Sequence, residues 1–123
     1  MLTVLPCKDR EEVKNIFKRY SLEITENSGC VVARDRDEIL GECLYELDHK
    51  SITVLRLSPQ DDIMLADGIL RSALHQAAER SAMDARFSAD APEALFKALG
   101  FIKNADERTL DIDKLFGGCC SCK

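Results

Sequence analysis

The sequence predicts an α+β domain with a twisted, mixed β-sheet and helices on both faces, and three features lead there. Residues Cys30 to Leu57 hold three strand-like runs separated by tight turns, the pattern of an antiparallel meander. A long helical pattern then runs from Asp61 or Asp62 to about Arg80, ahead of another strand-like run at Asp84–Ser88. A crossover of that length joins neighbouring parallel strands. Finally, Ala91–Phe101 reads as a short helix ended by Leu99-Gly100-Phe101.

Each element has its own local cause. Leu2 to Pro6 is a short strand closed by proline. Asp9 and Glu12 have capping-box spacing, and Val13, Ile16, Phe17 and Tyr20 hold the i, i+3, i+4, i+7 stripe of a helix. Lys14, Lys18 and Arg19 mark its solvated face, and the polar stretch Ser21–Gly29 ends it. Cys30–Arg34 and Ile39–Leu47 flank a turn at Asp35-Arg36-Asp37. After the turn Asp48-His49-Lys50, the strand Ser51–Leu57 stops at Ser58-Pro59. In the long helix Ala66, Ile69, Leu70, Ala73 and Ala77 share one side, while Asp67, Arg71, His75 and Glu79 share the other. The small residues let this helix lie close to a sheet. Asp90 is the expected cap of the short helix, with Pro92 in its first turn and Glu93 as the capping-box carboxylate. Leu95, Phe96 and Leu99 form its buried face, and Gly100 takes the left-handed stop. Phe101 begins the next strand, and Arg108–Ile112 is the terminal strand.

The 123 residues, 46% of them hydrophobic, suit one domain over residues 1–116, followed by a Cys-rich tail at 117–123. With 17 basic and 22 acidic residues the net charge is −5, and no basic block interrupts it. This balance points away from nucleic acid and anionic membranes, and toward a cationic or amine-bearing small molecule. Met1–Asp9 is too short and too soon charged for a signal peptide, and no apolar run approaches the roughly 18 residues of a membrane span. A cytoplasmic protein is expected, its 6 cysteines mostly thiols.

The segment Ala91-Pro92-Glu93-Ala94-Leu95-Phe96-Lys97-Ala98-Leu99-Gly100-Phe101 resembles the last helix of the GNAT acyltransferases, where a pattern close to A-x-x-L-Y-x-x-L-G-F occurs. The order β-α-β-β-β-α-β-α-β resembles that superfamily over essentially the whole chain except the tail, and Ile69–Arg80 is similar to its long helix. The resemblance implies an N-acetyltransferase that uses acetyl-CoA. A small-molecule amine would attack the thioester directly, helped by a backbone oxyanion contact near Leu57. In the family the N-terminus of the long helix holds the acyl-CoA pyrophosphate, as free N–H groups and the helix dipole favour. Carried onto this chain, the phosphate contacts fall on the N–H groups of Met64, Leu65, Ala66, Asp67 and Gly68. Main-chain groups of Leu55 and Leu57 would flank the pantetheine arm.

The chain departs from the family in four places. The family's loop reads R/Q-x-x-G-x-G/A. Here Asp62-Ile63-Met64-Leu65-Ala66-Asp67 has no basic or amide opener and no glycine in place, and Asp61, Asp62 and Asp67 repel phosphate. Phe96 stands where many members carry a tyrosine acid. The strand Ser51–Leu57 offers Ser51, Thr53 and Arg56 but no carboxylate base. The family's second helix is missing, which leaves the acceptor side open.

Glu42 and Tyr45 are the candidate replacements for base and acid, although Tyr45 reads first as a half-buried sheet tyrosine. Phe96 reads as a core aromatic, His49 and His75 as solvent-facing, and Asp61 and Asp62 as helix-capping groups. No metal site is assigned. Cys119, Cys120 and Cys122 supply three thiolates that would need Cys7, Cys30, Cys43 or a second chain to close a Zn²⁺ or Cu⁺ site, and otherwise form an exposed tail. Three functions follow: an acetyltransferase, a GNAT-like binding or regulatory domain without catalysis, and a metal or thiol-redox role of the tail. The expected partners are a small amine and, as an assembly, a second copy of the chain.

Overall fold

In the computed structural model, which describes residues 2–48, 50–80, 82 and 84–111, the meander forms as its alternating sequence requires. Strands β1 (Leu2–Pro6), β2 (Ser28–Asp35), β3 (Glu38–Leu47) and β4 (Ser51–Ser58) pair antiparallel in sequence order, with α1 (Arg10–Arg19) bridging β1 and β2. Helix α2 (Ile63–Glu79) then carries the chain to β5 (Asp84–Phe87), which pairs with β4 in parallel. After α3 (Glu93–Leu99) come β6 (Ile102–Asn104) and β7 (Thr109–Leu110). The seven-stranded sheet has the order β1-β2-β3-β4-β5-β7-β6. The strand expected to start at Phe101 and the one expected over Arg108–Ile112 become β6 and β7, paired as a hairpin. Asn104 Oδ1 accepts from Glu107 N at 3.2 Å, and Arg108 turns with φ 55°, so β7 comes back between β5 and β6.

Both sheet faces are buried, because β2 and β3 are apolar at consecutive positions. On one face Val31, Cys43, Ile52, Val54 and Leu57 meet Ala66, Ile69, Leu70, Ala73, Leu74 and Ala77 of α2, and Leu95, Phe96 and Leu99 of α3 join them. On the other face Cys30, Val32 and Leu44 meet Val13, Ile16 and Phe17 of α1. The two packed faces place helices on both sides of the sheet, as the amphipathic stripes predict.

The helix ends are settled by tertiary partners as much as by local sequence. Asp9 caps α1 through Glu11 N at 3.0 Å, but Glu12 does not complete the capping box. Its carboxylate is taken by Arg34 and by the Cys7 thiol, which donates at 3.0 Å. Asp90 does not cap α3. Pro92 occupies the cap position without a side-chain bond, and Asp90 lies 3.9 Å from Arg56 instead. Gly100 takes the left-handed conformation at φ 78°, as its place after Leu99 predicts.

Gly41 marks the tightest approach in the sheet. A Cβ there would stand 2.6 Å from Ser58 O, 2.7 Å from Pro59 Cδ and 2.8 Å from Ile69 Cδ1. Two of these atoms belong to the turn that launches α2, so neither can yield without moving the helix. Gly41→Ala is expected to cost about 2–4 kcal/mol, read from denaturant unfolding midpoints against wild type.

Candidate active site

A β-bulge interrupts the ladder between β3 and β4. Tyr45 faces Val54 and Leu44 faces Arg56, so Leu55 is the additional residue on β4. The parallel ladder with β5 ends at Val54 and Phe87, while β4 runs on to Ser58. Ser88 N donates to Val54 O at 2.9 Å and closes the apex of the β4 edge left uncovered where β5 ends. Leu55 O, just past that apex, accepts from Ser88 Oγ at 3.3 Å and from Arg56 Nη1 at 2.7 Å. Leu57 lies beyond the bulge, opposite Cys43, where β5 has already ended.

Glu42 sits on the α1 face of β3, across from Ser58 at the far end of β4, and it is only 5% exposed. Tyr20, at the C-cap of α1, donates its hydroxyl to Glu42 Oε1 at 2.9 Å and lies 3.4 Å from Ser58 Oγ. Arg19 Nη2 stands 3.6 Å from the same Oε1. Glu42 Oε2 has no hydrogen bond among the described residues, yet it is not sealed from solvent. A carboxylate held by one oxygen and open at the other is poised to receive a proton. Burial pushes the Tyr20 phenol above its ordinary range, and the neighbouring Glu42 adds to that while Ser58 opposes it. Tyr20 therefore remains a donor at neutral pH. In the sequence Tyr20 reads as one more member of the apolar stripe of α1, and only the fold brings its hydroxyl to Glu42.

Tyr45, the other candidate, faces away from Glu42. It lies on the α2 side of the sheet, and burial raises its phenol to about 12. Three positions apart on β3, the two side chains alternate onto opposite faces, so they cannot work as an acid–base pair.

The first turn of α2 also differs from the expected phosphate cradle. Asp62 Oδ1 accepts from Leu65 N at 3.1 Å, and Ala66 N donates to Asp62 O at 3.0 Å. Asp67 and Gly68 lie in the second turn, where N–H groups serve the helix itself. The Asp67 carboxylate holds Arg71 Nε at 2.8 Å. A Cβ at Gly68 meets nothing within 4 Å, so no close approach requires that glycine. Of the expected contacts only Met64, joined by Ile63, keeps a free N–H. The N–H groups of Leu65 and Ala66 are taken by Asp62, and those of Asp67 and Gly68 lie within the helix. Ile63 and Met64 instead expose apolar side chains, Met64 at 87%, beside Leu40 and Pro59 in an open cleft.

His75 is exposed and lies 3.9 Å from Glu79. His49, Cys119, Cys120 and Cys122 fall outside the described residues. Cys7, Cys30 and Cys43 are free thiols, with Cys30 raised to about 12 chiefly by burial. Among the described residues no group of three His, Cys, Asp or Glu side chains is arranged to hold a metal ion. No helix among them is long and apolar enough to cross a membrane.

No protein-family model matches the sequence, and no curated protein matches it. The fold is nevertheless shared with solved structures. YhhK from E. coli, bound to coenzyme A, superposes with TM-score 0.59 at 16% identity over 85% of this chain and 93% of that one. An acetyltransferase of the GNAT family from Streptococcus pneumoniae gives 0.56 at 16% identity over 83% and 88%. A Bacillus subtilis acetyltransferase in complex with CoA gives 0.56 at 14% over 83% and 77%. The chain therefore has the GNAT, or acyl-CoA N-acyltransferase, fold, as its element order and Leu-Gly-Phe stop lead one to expect.

Proposed function

We propose that this chain is an acyl-CoA-dependent N-acyltransferase of the GNAT superfamily, taking acetyl-CoA as donor and a small amine as acceptor. The observation that carries the reading is the β4 edge past Val54, which bears the bulge residue Leu55 and has no strand partner on its β5 side. The CoA-bound proteins that share this fold support it. Bound acetyl-CoA supplies an activated thioester. Main-chain groups of Leu55 and Leu57 flank its pantetheine arm, and the Leu55 carbonyl becomes available once the Ser88 and Arg56 side chains rotate away. Glu42 Oε2 takes the proton of the attacking amine, while Tyr20 and Arg19 fix the carboxylate through Oε1. The net charge of −5 favours approach of a cationic acceptor. With Phe96 in place of a phenol, positioning supplies most of the acceleration.

The residues present fit the pantetheine half of the donor but not its pyrophosphate. No Lys or Arg lines the cleft at the start of α2, and Asp61 and Asp62 both do. The reading therefore expects affinity to reside in the acyl-pantetheine moiety. Calorimetric titration of acetyl-CoA and of acetyl-pantetheine should give comparable dissociation constants. Asp62→Asn, which keeps a good cap and removes the charge, should tighten acetyl-CoA by roughly two- to fivefold and leave acetyl-pantetheine unchanged. Absence of heat with both ligands would sink the transferase reading. That outcome would favour the second one, a GNAT-fold binding or regulatory domain, which is motivated by the Asp62 cap and the apolar Ile63–Met64 surface in the phosphate position.

A further inference from the structure

A second cleft, of about 350 Å³, opens at the other end of the sheet, between the start of α1 and the end of α2. We infer that this cleft binds a small phosphate dianion, free or as the head of a monoester. The chain carries a net charge of −5, yet here Lys8, Arg10 and Arg80 meet a single carboxylate, Glu26. Arg10 is fixed, donating to Ser28 O at 2.7 Å and to Thr25 O at 2.9 Å. The side chains of Lys8 and Arg80 have no hydrogen-bond or ion-pair partner among the described residues, so their charges are free to converge on a ligand.

The floor of the cleft supplies a second, independent observation. Tyr45 is 8% exposed, but its hydroxyl has no hydrogen-bond partner among the described residues and is not sealed off from solvent. It lies over Gly29, where a Cβ would stand 2.9 Å from the hydroxyl oxygen, and both residues line the cleft. Solvent reaches this hydroxyl, so a ligand oxygen can take the place of the water that meets it. Burial keeps this phenol protonated, so it can donate to an anion. The amides of Gln76 and Asn27 complete a set of donors around the opening. The positive end of α1 offsets the negative end of α2 at the same place, leaving the side-chain cations to set the sign of the potential. Flexible cations with neutral donors at one wall suit a tetrahedral oxyanion. The cleft opens away from Glu42, so occupancy does not require the acyl-transfer reading.

The test uses the intact chain and amide NMR titrations with inorganic phosphate, ribose 5-phosphate and ribose, at constant ionic strength set by chloride. Saturable shifts centred on Gly29, Gln76 and Arg80 are expected with the phosphates and not with ribose. Arg80→Glu should weaken binding by at least about tenfold, and Tyr45→Phe by roughly three- to tenfold without loss of stability. Equal affinity for phosphate and ribose 5-phosphate assigns the site to the free anion. Tighter binding of ribose 5-phosphate assigns it to a phosphorylated small molecule. No saturable shift with either phosphate, or unchanged affinity in Arg80→Glu, overturns the inference.

Discussion

Glu42→Gln is expected to lower kcat/KM for acetyl transfer by about 10²- to 10⁴-fold while leaving the fold intact. The substitution is nearly isosteric, and the amide oxygen can still accept from Tyr20, 2.9 Å away in the native protein. The contact with Arg19 weakens, but that side chain is 55% exposed and solvent screens the pair, so the loss of stability is small. What disappears is the ability of the second carboxylate oxygen to take a proton. Tyr20→Phe leaves the base in place and removes its anchor, so a smaller loss, of roughly tenfold, is expected from mispositioning. Initial rates against a panel of small amines, with thermal melts of each variant, separate the two effects. Wild-type rates in a folded Glu42→Gln protein would remove Glu42 from the reaction.

Why Glu42 emerges from the sequence only as half of a site is a matter of range. Strand alternation says that it faces away from Cys43, and nothing nearby says what it faces. Its partner Tyr20 comes from the last turn of α1, where the i, i+3, i+4, i+7 stripe makes a tyrosine look like one more apolar contact. A tyrosine at the end of such a stripe, where its hydroxyl reaches past the core, was the available signal. The Leu55 bulge left no trace in composition, because Leu55, Arg56 and Leu57 alternate as an ordinary strand would.

Local signals fared better where no distant group competed for them. Asp62 caps α2 and Gly100 ends α3, as their positions in the sequence imply. Glu12 carries an equally good capping signal and does not complete its box, because Arg34 reaches it from a strand far off in sequence, while Asp90 lies two residues ahead of the observed cap, Pro92. A guanidinium offers a charge-assisted contact that outweighs one neutral N–H. Asp61 and Asp62, just ahead of α2, are the sequence's argument against a phosphate there. The structure adds the mechanism: the cap itself consumes the Leu65 N–H that a phosphate would need.

Phe96→Ala is expected to destabilise the domain by about 3–5 kcal/mol, the largest stability change predicted for a single side chain here. The ring has no exposure, and its centroid lies 5.1 Å from that of Phe87, tilted by 40°. This geometry lies within the favourable range for aromatic pairs. Helix α3 spans only Glu93–Leu99 and has no side-chain cap, so it depends on Leu95, Phe96 and Leu99 to hold it on the sheet. Removing the central ring leaves a cavity that a seven-residue helix cannot close by propensity alone. Loss of α3 also frees the segment bearing Asp90, and with it the Arg56 contact at the mouth of the β4–β5 opening. Urea unfolding should therefore show a lower midpoint in Phe96→Ala with a similar slope. Phe96→Tyr probes the other reading of this position. A hydroxyl added where exposure is zero, inside the apolar cluster with Phe87, Leu95 and Leu99, should cost about 1–3 kcal/mol and bring no gain in rate. A Phe96→Tyr protein as stable as wild type and faster in acetyl transfer would mean that the ring edge faces the thioester site and that this position still holds the place of an acid.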